Sequence, residues 1–134
     1  MRKDAVLVDS SVVIDCLRQK EKQKTWFFRV LSAGYFVKIS IVTHTELYSG
    51  KSIWEKPEAK KVLENLLKGV EVISLLEETS KLTGKLRATL GLGAMDAIIA
   101  ATANKYQLPL VTLNEKDFKK VKELKLLRLK DLKA

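Results

Sequence analysis

The hydrophobic positions of the chain fall into short apolar runs that alternate with longer stretches of helical spacing. The apolar runs cover Ala5–Val8 and residues 36–42, 70–73 and 108–113. Runs of this length predict strands, and strands without a polar face predict a sheet covered on both sides. A short fifth strand is predicted over residues 127–129. Strands that alternate with helices predict an α/β layered domain with a central, mainly parallel sheet flanked by helices.

One predicted helix, residues 94–103, is apolar nearly all the way round. A helix without a polar face is a buried helix, and its alanines allow neighbouring backbones to approach closely. Asp96 nevertheless lies in its first turn, where unpaired N–H groups and the positive end of the helix dipole favour a carboxylate. Its place at the start of a helix is therefore enough to explain Asp96 by itself.

Other acidic or amide side chains follow the ends of predicted strands. Asp9 comes directly after the first strand, and Asn114 and Asp117 follow the fourth. Glu46 lies three residues after Thr43, just past the second strand. Local explanations exist, because Asp9 can be a helix N-cap and Thr43 with Glu46 matches a capping box. Right-handed crossovers also bring the ends of parallel strands to one edge of the sheet, which is where ligands bind.

If these acids meet, three or four carboxylates share one cleft. Like charges so close repel and raise each other's pKa values unless a cation lies between them. Carboxylate oxygens select Mg²⁺ or Mn²⁺. The chain has one histidine, His44, and one cysteine, Cys16, so we do not expect a zinc site.

Length and composition bound the class of protein. With 134 residues, of which 46% are hydrophobic, the chain is long enough for one ordinary domain, and we expect a single domain over residues 1–134. The apolar runs are too short for a membrane span, and the charged residues 1–4 lack the apolar segment of a signal peptide. A lone cysteine cannot form an intrachain disulfide, which favours the reducing cytoplasm.

The charge balance points to a polyanionic partner. Lysine and arginine number 25 against 16 acids, for a net charge of +9, and this favours nucleic acid before membrane. Lysine-rich surfaces also occur in proteins from hot environments, and Lys81, Lys85 and Arg87 are most simply a solvated helix face. An acidic metal cleft on a basic protein is typical of a metal-dependent nuclease, in which lysines hold phosphates and the metal activates water.

Four motifs in this order resemble those of PIN-domain proteins, and most closely the VapC-type toxins of toxin–antitoxin pairs. The resemblance covers nearly the whole chain, and four motifs together are specific where one alone would be weak. The motifs are LVDSSVVID at residues 7–15, THTEL at 43–47, GAMDAIIAATA at 93–103 and LVTLNEKDF at 110–118.

The resemblance implies a five-stranded parallel sheet in the order 3-2-1-4-5 and Mg²⁺- or Mn²⁺-dependent cleavage of RNA. It also implies a homodimer and inhibition by a cognate antitoxin protein.

By position, Asp9, Glu46 and Asp96 match the three main acidic metal-site residues of the family. Relatives place a fourth acid at the position of Asn114 or Asp117, and Asp117 is favoured because the other residue is an amide. Ser10 and Thr112 match polar positions that line the site. If Asp117 points away, a second metal ion would bind weakly.

Other classes of function share some of these features. A nuclease of the same fold could act in RNA processing or on DNA flaps, although a short chain without insertions favours the toxin. A catalytically silent module would only bind RNA or protein, but an idle site has no reason to keep like charges together. A phosphoacceptor signalling domain would need an aspartate after the third strand, where the chain has Ser74.

Overall fold

The centre of the fold is a four-stranded parallel sheet in a computed structural model that describes residues 4–132. Most of the N-terminal segment considered for a signal peptide, residues 1–3, lies outside the described residues. The spatial order of the strands is β3-β2-β1-β4. The strands are β1 (Ala5–Val8), β2 (Phe36–Ser40), β3 (Glu71–Ile73) and β4 (Leu110–Val111).

Helices cover both faces of the sheet and connect its strands. The α-helices are α1 (Ser10–Arg18), α2 (Trp26–Ser32), α3 (Ile41–Leu47), α4 (Lys51–Glu55), α5 (Pro57–Leu66), α6 (Glu77–Leu90), α7 (Ala94–Lys105) and α8 (Glu115–Phe118). Short 3₁₀ turns cover Lys22–Lys24 and Leu129–Asp131. Within the described part of the chain, no helix has both the length and the apolar character needed to cross a membrane.

Strand β1 organises the two hydrophobic cores because its side chains alternate between the faces of the sheet. Val6 and Val8 belong to one core, where they join the apolar residues of α1 and α2. Leu7 belongs to the other core, which contains Ile99 of α7 and Leu86 of α6. These three residues of β1 are fully buried, so the prediction of a sheet covered on both sides is confirmed.

The predicted apolar helix is α7, and its packing is close because its buried side chains are small. Ala97, Ala100 and Ala101 have no measurable exposure. Helices α6 and α7 form an antiparallel pair: a short turn joins them at one end, and Lys105 bonds to Glu78 at the other. The turn begins at Gly91, whose φ of 69° is left-handed, as is common after a helix.

The start of α3, the helix that follows β2, differs from the prediction. Ser40 rather than Thr43 is the N-cap of α3, and its hydroxyl accepts the N–H groups of Val42 and Thr43. Strand β2 therefore ends at Ser40, two residues before the predicted end. The capping box is wrong, because Thr43 lies inside the first turn, fully buried, and its hydroxyl has no hydrogen-bond partner among the described residues. Glu46 therefore does not cap this helix.

The fifth strand predicted over residues 127–129 is wrong. An isolated parallel bridge joins Leu110 to Leu126, and Leu127 donates its N–H to the carbonyl of Leu110 at 2.9 Å. Because β4 is only two residues long, it cannot form a longer run of hydrogen bonds with a fifth strand. The chain instead forms a 3₁₀ helix that begins at Leu129. The bridge lies beside β4, the place that the expected order gave to a fifth strand.

Candidate metal centre

Asp9 lies between the end of β1 and the start of α1. Its side chain points into the cleft at the carboxyl ends of the strands and does not cap the helix. The residue occupies the N-cap position, but its carboxylate makes no capping hydrogen bond. Instead, Oδ2 accepts the hydroxyl protons of Thr112 at 2.7 Å and of Ser11 at 3.0 Å. Asp9 is 4% exposed, so these bonds hold a nearly buried carboxylate. The simple N-cap explanation is therefore wrong for this side chain.

Backbone amides after β4 fix the direction of both hydroxyl groups. Thr112 Oγ1 accepts the N–H of Asn114 at 3.0 Å, and Ser11 Oγ accepts the N–H of Leu113 at 3.1 Å. A hydroxyl that accepts an amide proton has its own proton free to donate, and both of these protons reach the same oxygen of Asp9. Among the described residues, the other oxygen, Oδ1, has only a 3.4 Å contact with the hydroxyl of Ser10. Asp9 is thus anchored through one oxygen.

Ser10 connects Asp9 with Glu46. Its hydroxyl lies 3.0 Å from Glu46 Oε1 and 3.4 Å from Asp9 Oδ1. A hydroxyl has one proton, so the shorter contact to Glu46 is the stronger bond. Glu46 is the next-to-last residue of α3, the helix that follows β2. The structure therefore brings together two acids that are 37 positions apart in the sequence.

Asp96 lies in the first turn of α7 and faces the other acids. Burial raises the pKa of its carboxyl above the ordinary aspartate value, and the negative charges of Asp9, Asp117 and Glu46 raise this pKa further. None of these four acids forms an ion pair with lysine or arginine in the described part of the chain. The cleft therefore concentrates negative charge that the described side chains leave uncompensated.

The two alternatives for the fourth acid position have different surroundings. Asp117, in the one-turn helix α8, is close enough to raise the pKa of Asp96. Asn114 contributes its backbone N–H to Thr112, and its side chain makes no hydrogen bond to any described residue. Both side chains are exposed. The geometry therefore favours Asp117 as the fourth carboxylate, and its role stays a prediction.

The residues of the cleft fit a divalent cation by charge and donor type. Carboxylate and hydroxyl oxygens are hard ligands, and a cation would relieve the repulsion that raises the pKa of Asp96. Among residues 4–132, however, no three acidic, histidine or cysteine side chains are arranged as a ready-made ligand set. Mg²⁺ usually keeps several waters and binds through one or two carboxylates, so the cleft suits such an ion better than a fully protein-ligated one.

One residue of the cleft was not among the predicted site residues. Ser11 follows Asp9 by two positions and, in the sequence, has the pattern of a helix-capping residue. In the structure its hydroxyl bonds Asp9 and also accepts the N–H of Leu113. Of these two partners, Leu113 lies 102 positions away, so no local pattern could assign this role. His44, which was left out of the predicted site, packs its ring against Tyr48 with 4.8 Å between centroids.

Comparison with known proteins agrees with this architecture. The family model of the PIN domain matches residues 6–124. A solved structure of VapBC2 from Rickettsia felis, bound to a DNA fragment from its promoter, is similar with a TM-score of 0.77 and 23% identity, over 92% of this chain and 98% of that one. A toxin–antitoxin complex from Klebsiella pneumoniae is similar with a TM-score of 0.71 and 25% identity, over 89% and 94% of the two chains.

A third similar structure is VapBC-1 from nontypeable Haemophilus influenzae. Its TM-score is 0.76 at 21% identity, over 94% of this chain and 98% of that one. No curated protein sequence matches the chain significantly. At these levels of identity the likeness establishes the fold, and the chemistry has to be argued from the cleft itself.

Proposed function

The chain belongs to the PIN-domain family, and from this membership we propose that it is a metal-dependent endoribonuclease, the toxin of a VapBC-type toxin–antitoxin pair. One observation carries the proposal: four carboxylates lie close together beside a parallel sheet, and burial together with the charges of Asp9, Asp117 and Glu46 raises the pKa of Asp96. A protein of net charge +9 has no structural need for such a cluster. Metal-assisted hydrolysis of a phosphodiester bond does need one, to hold the cation.

The acids and hydroxyls have separate tasks in this proposal. Asp9, Glu46 and Asp96 would hold a Mg²⁺ or Mn²⁺ ion, with Asp117 at the exposed side of the cleft. The bound ion would supply a water of lowered pKa and would neutralise charge on the phosphate. Thr112, with Ser11, holds Oδ2 of Asp9, which leaves Oδ1 free for the ion.

Positive charge elsewhere on the protein would supply affinity for RNA. Lysines and arginines bind phosphates largely by releasing counterions, which is independent of sequence and weakens with salt. The acidic cleft repels a phosphate when no cation is present. Binding and cleavage should therefore depend on different residues, and this difference makes the proposal testable.

We expect an antitoxin protein as partner, because the similar solved structures include toxin–antitoxin complexes. A groove of about 420 Å³ between α1, α3, α4 and α5 offers an apolar surface for such a partner. Its lining includes Ile14, Leu17, Ile53 and Val62, and Glu46 borders it. A protein segment bound there would lie against a carboxylate of the cleft, which would couple binding to inhibition.

Cleavage and binding of RNA, measured side by side, test the nuclease proposal. Total cellular RNA is incubated with the protein in Mg²⁺, in Mn²⁺ and in EDTA, and RNA binding is measured by filter retention. We expect cleavage with either ion and none in EDTA. Asp9→Asn and Asp96→Asn should abolish cleavage, because each removes a carboxylate ligand of the cation. RNA binding should change little, because each variant also removes a negative charge that repels the phosphate.

The matched control is Asp131→Asn, which removes an exposed acid at the end of the 3₁₀ turn Leu129–Asp131 that is not among the charges raising the pKa of Asp96. It should cleave RNA like the unmodified protein. Cleavage that persists in EDTA or in Asp96→Asn would refute the metal mechanism. Binding without cleavage in the unmodified protein, with several RNA classes and Mn²⁺ present, would instead indicate a silent RNA-binding module.

A further inference from the structure

A second, larger groove of about 650 Å³ lies between α6, the end of α7 and the segment that follows α8. Its polar lining consists of three lysines, two amides, one hydroxyl and one glutamate, whereas the cleft is lined mainly by acids. The lining residues that matter here are Lys85, Thr89, Asn104, Gln107, Lys120 and Lys122.

The groove is a site of uncompensated positive charge. Lys85, Lys120 and Lys122 are exposed, and none of them forms an ion pair with any residue between 4 and 132. One acid, Glu123, also lines the groove, so the positive charges exceed the negative. Three lysines that line one concave surface attract a polyanion more strongly than the same lysines spread over the protein.

The walls of the groove lead to the acidic cleft. One wall is α6, whose last residue, Leu90, also lines the groove and is followed by the short turn that delivers the chain to Asp96. The other wall contains Lys120, which follows Asp117 by three positions in the sequence. Residues 82–90 of α6 extend for about 12 Å along the groove. Three positions of chain span at most about 11 Å between Cα atoms, so the Lys120 wall begins close to Asp117, and Asn104 and Gln107 line the groove at the end of α7.

A strained residue lies at that far end. Gln107 has a φ of 54°, the left-handed region, where glycine is favoured and glutamine is uncommon. It occupies the position after the α7 C-cap in a Schellman pattern, in which Leu108 donates its N–H to Ala103 and Gln107 donates to Asn104. A glycine would fit this position without strain, so the side chain is kept against a conformational cost.

The Gln107 amide offers an acceptor to the groove. Its Nε2 donates to the carbonyl of Asn104 at 3.0 Å, which fixes the amide orientation. Its Oε1 accepts no hydrogen bond from any of the described residues. An acceptor beside a phosphate-binding surface can receive the 2′-hydroxyl proton of a ribose, the group that distinguishes RNA from DNA.

We propose that this groove binds the sugar–phosphate backbone of the RNA strand on one side of the cleavage point. The lysines contact phosphates, and Gln107 contacts a ribose. The inference rests on the proposed ribonuclease function, since it names where the flanking part of the same substrate lies. It assigns no base specificity, because phosphate and ribose contacts are the same for every sequence.

The test measures how RNA affinity depends on salt concentration. The slope of log affinity against log salt is proportional to the number of phosphates that the protein neutralises. Single-stranded RNA and DNA of one sequence are bound to Asp96→Asn protein in EDTA, so that no cleavage occurs. The triple variant Lys85→Gln, Lys120→Gln, Lys122→Gln should bind RNA more weakly. Its plot of log affinity against log salt should be flatter by about 2, since each lost phosphate contact on a single strand removes about 0.7.

A matched triple variant separates the groove from net charge. Lys51→Gln, Lys61→Gln and Lys68→Gln remove three charges from exposed lysines outside the groove, so both triples lower the net charge of the parent by three. The control should keep the salt slope of the parent. Equal flattening by the two triples, or none by the groove triple, would overturn the proposal.

The Gln107 contact has its own readout. Gln107→Gly should keep or raise the melting temperature, because glycine relieves the left-handed strain. RNA affinity should fall about two- to tenfold, the equivalent of one hydrogen bond, while affinity for the matched DNA stays the same. An equal loss for RNA and DNA, or no loss for either, would refute the ribose contact.

Failure of this inference can be told from failure of the nuclease proposal. With the native Asp96, the groove triple should cleave a pool of random dinucleotides as fast as the control triple Lys51→Gln, Lys61→Gln, Lys68→Gln, because a strand with one nucleotide on each side of the cleaved bond does not extend along the groove. It should cleave total RNA with a raised apparent KM. If the unmodified protein cleaves neither substrate, the nuclease proposal fails, and the binding experiments still decide whether the groove holds RNA.

Discussion

Thr112 donates its hydroxyl proton to Asp9, with 2.7 Å between Oγ1 and Oδ2, across 103 positions of the sequence. The bond joins the ends of β1 and β4, which are paired in register at Val8 and Val111. A neighbouring pair of backbone groups, the Asp9 N–H and the Val111 carbonyl at 2.9 Å, continues the same ladder. The orientation of the Asp9 carboxylate is therefore set by the pairing of two strands.

Removing this hydroxyl should weaken both the fold and the cleavage reaction. Thr112→Val leaves a nearly buried carboxylate with one donor fewer, and a hydrogen bond to a charged group contributes about 1.5–3 kcal/mol. We expect the free energy of unfolding to fall by about that amount and kcat to fall with it. Thr112→Ser keeps the hydroxyl and should restore kcat in large part.

Thr45→Val is the control for Thr112→Val, because the exposed Thr45 hydroxyl bonds only the carbonyl of Ile41 in its own helix. Urea unfolding and steady-state cleavage of the four proteins make the comparison. If Thr112→Val keeps the kcat of the unmodified protein, the hydroxyl is not a positioning group for Asp9.

The raised pKa of Asp96 makes the stability of the metal-free protein depend on pH. A carboxyl whose pKa is higher in the folded state than its ordinary value of 3.8 binds more protons when folded. Stability should therefore fall as pH rises from about 3.8 through the raised pKa, and level off above it. Asp96→Asn should remove this decrease and be more stable than the unmodified protein at neutral pH.

Urea unfolding in EDTA across this pH range measures the effect. Asp131→Asn, which removes an exposed acid that does not raise the pKa of Asp96, should keep the pH profile of the unmodified protein. An identical profile for Asp96→Asn would contradict the electrostatic interpretation of the cleft.

Divalent cations should stabilise the folded protein through the cleft. A ligand that binds only the folded state raises its stability by about 2.7 kcal/mol at a hundred times Kd. We expect Mg²⁺ and Mn²⁺ to raise the Tm of the unmodified protein, and Asp96→Asn to lose most of this gain. Glu55→Gln, at an exposed position of α4, should keep the gain. Equal shifts in all three proteins would mean that the ions bind elsewhere.

Lys22 is expected to stabilise the fold without contributing to RNA binding. Its Nζ donates to the carbonyls of Cys16, Leu17 and Gln19 at 3.0, 3.3 and 3.0 Å, which closes the end of α1. Lys22→Met should lower the free energy of unfolding by about 1–3 kcal/mol, since these carbonyls lose a charged donor. The salt slope of RNA binding should stay unchanged.

Lys24→Met is the matched control for Lys22→Met. It removes a largely exposed ion pair with Glu21, which typically contributes about 1 kcal/mol or less. Chemical denaturation of both variants, with RNA titrations at several salt concentrations, makes the comparison. A salt slope that flattens in Lys22→Met alone would assign this lysine to the RNA surface.

The homodimer stays a prediction that rests on family resemblance. Sedimentation at tens of micromolar should give a dimer of the 15.1 kDa chain. A monomer that still cleaves RNA would remove dimerisation from the function of the protein.

The sequence predicted the parts of the fold that depend on local pattern and burial. Strand β1 has the predicted bounds Ala5–Val8, and α7 begins at Ala94 as predicted. Long-range choices were harder to predict. Ser40 and Thr43 have the same capping chemistry, and only the tertiary placement of the chain makes Ser40 the N-cap. The capping box matched a local rule that the fold does not use.

The sequence could predict that acids lie close together in the cleft, but not which hydrogen bonds connect them. The rule that parallel strands end at one edge was enough to bring Asp9, Glu46 and Asp96 together. It could not show that Ser10 lies between Asp9 and Glu46, because the residue adjacent to Asp9 in sequence bonds an acid 36 positions away. Hydroxyl positions depend on side-chain packing, which hydrophobic periodicity does not encode.

The two ends of the cleft are expected to differ in hydrogen-exchange protection. Asp9 follows a strand that is paired on both sides, by β2 and β4, so its backbone should open only with global unfolding. Asp117 lies in a single helical turn of four residues, which is below the length at which helices are stable by themselves. Amides near Asp117 should therefore exchange through local opening, and a cation held from both ends would slow that exchange selectively.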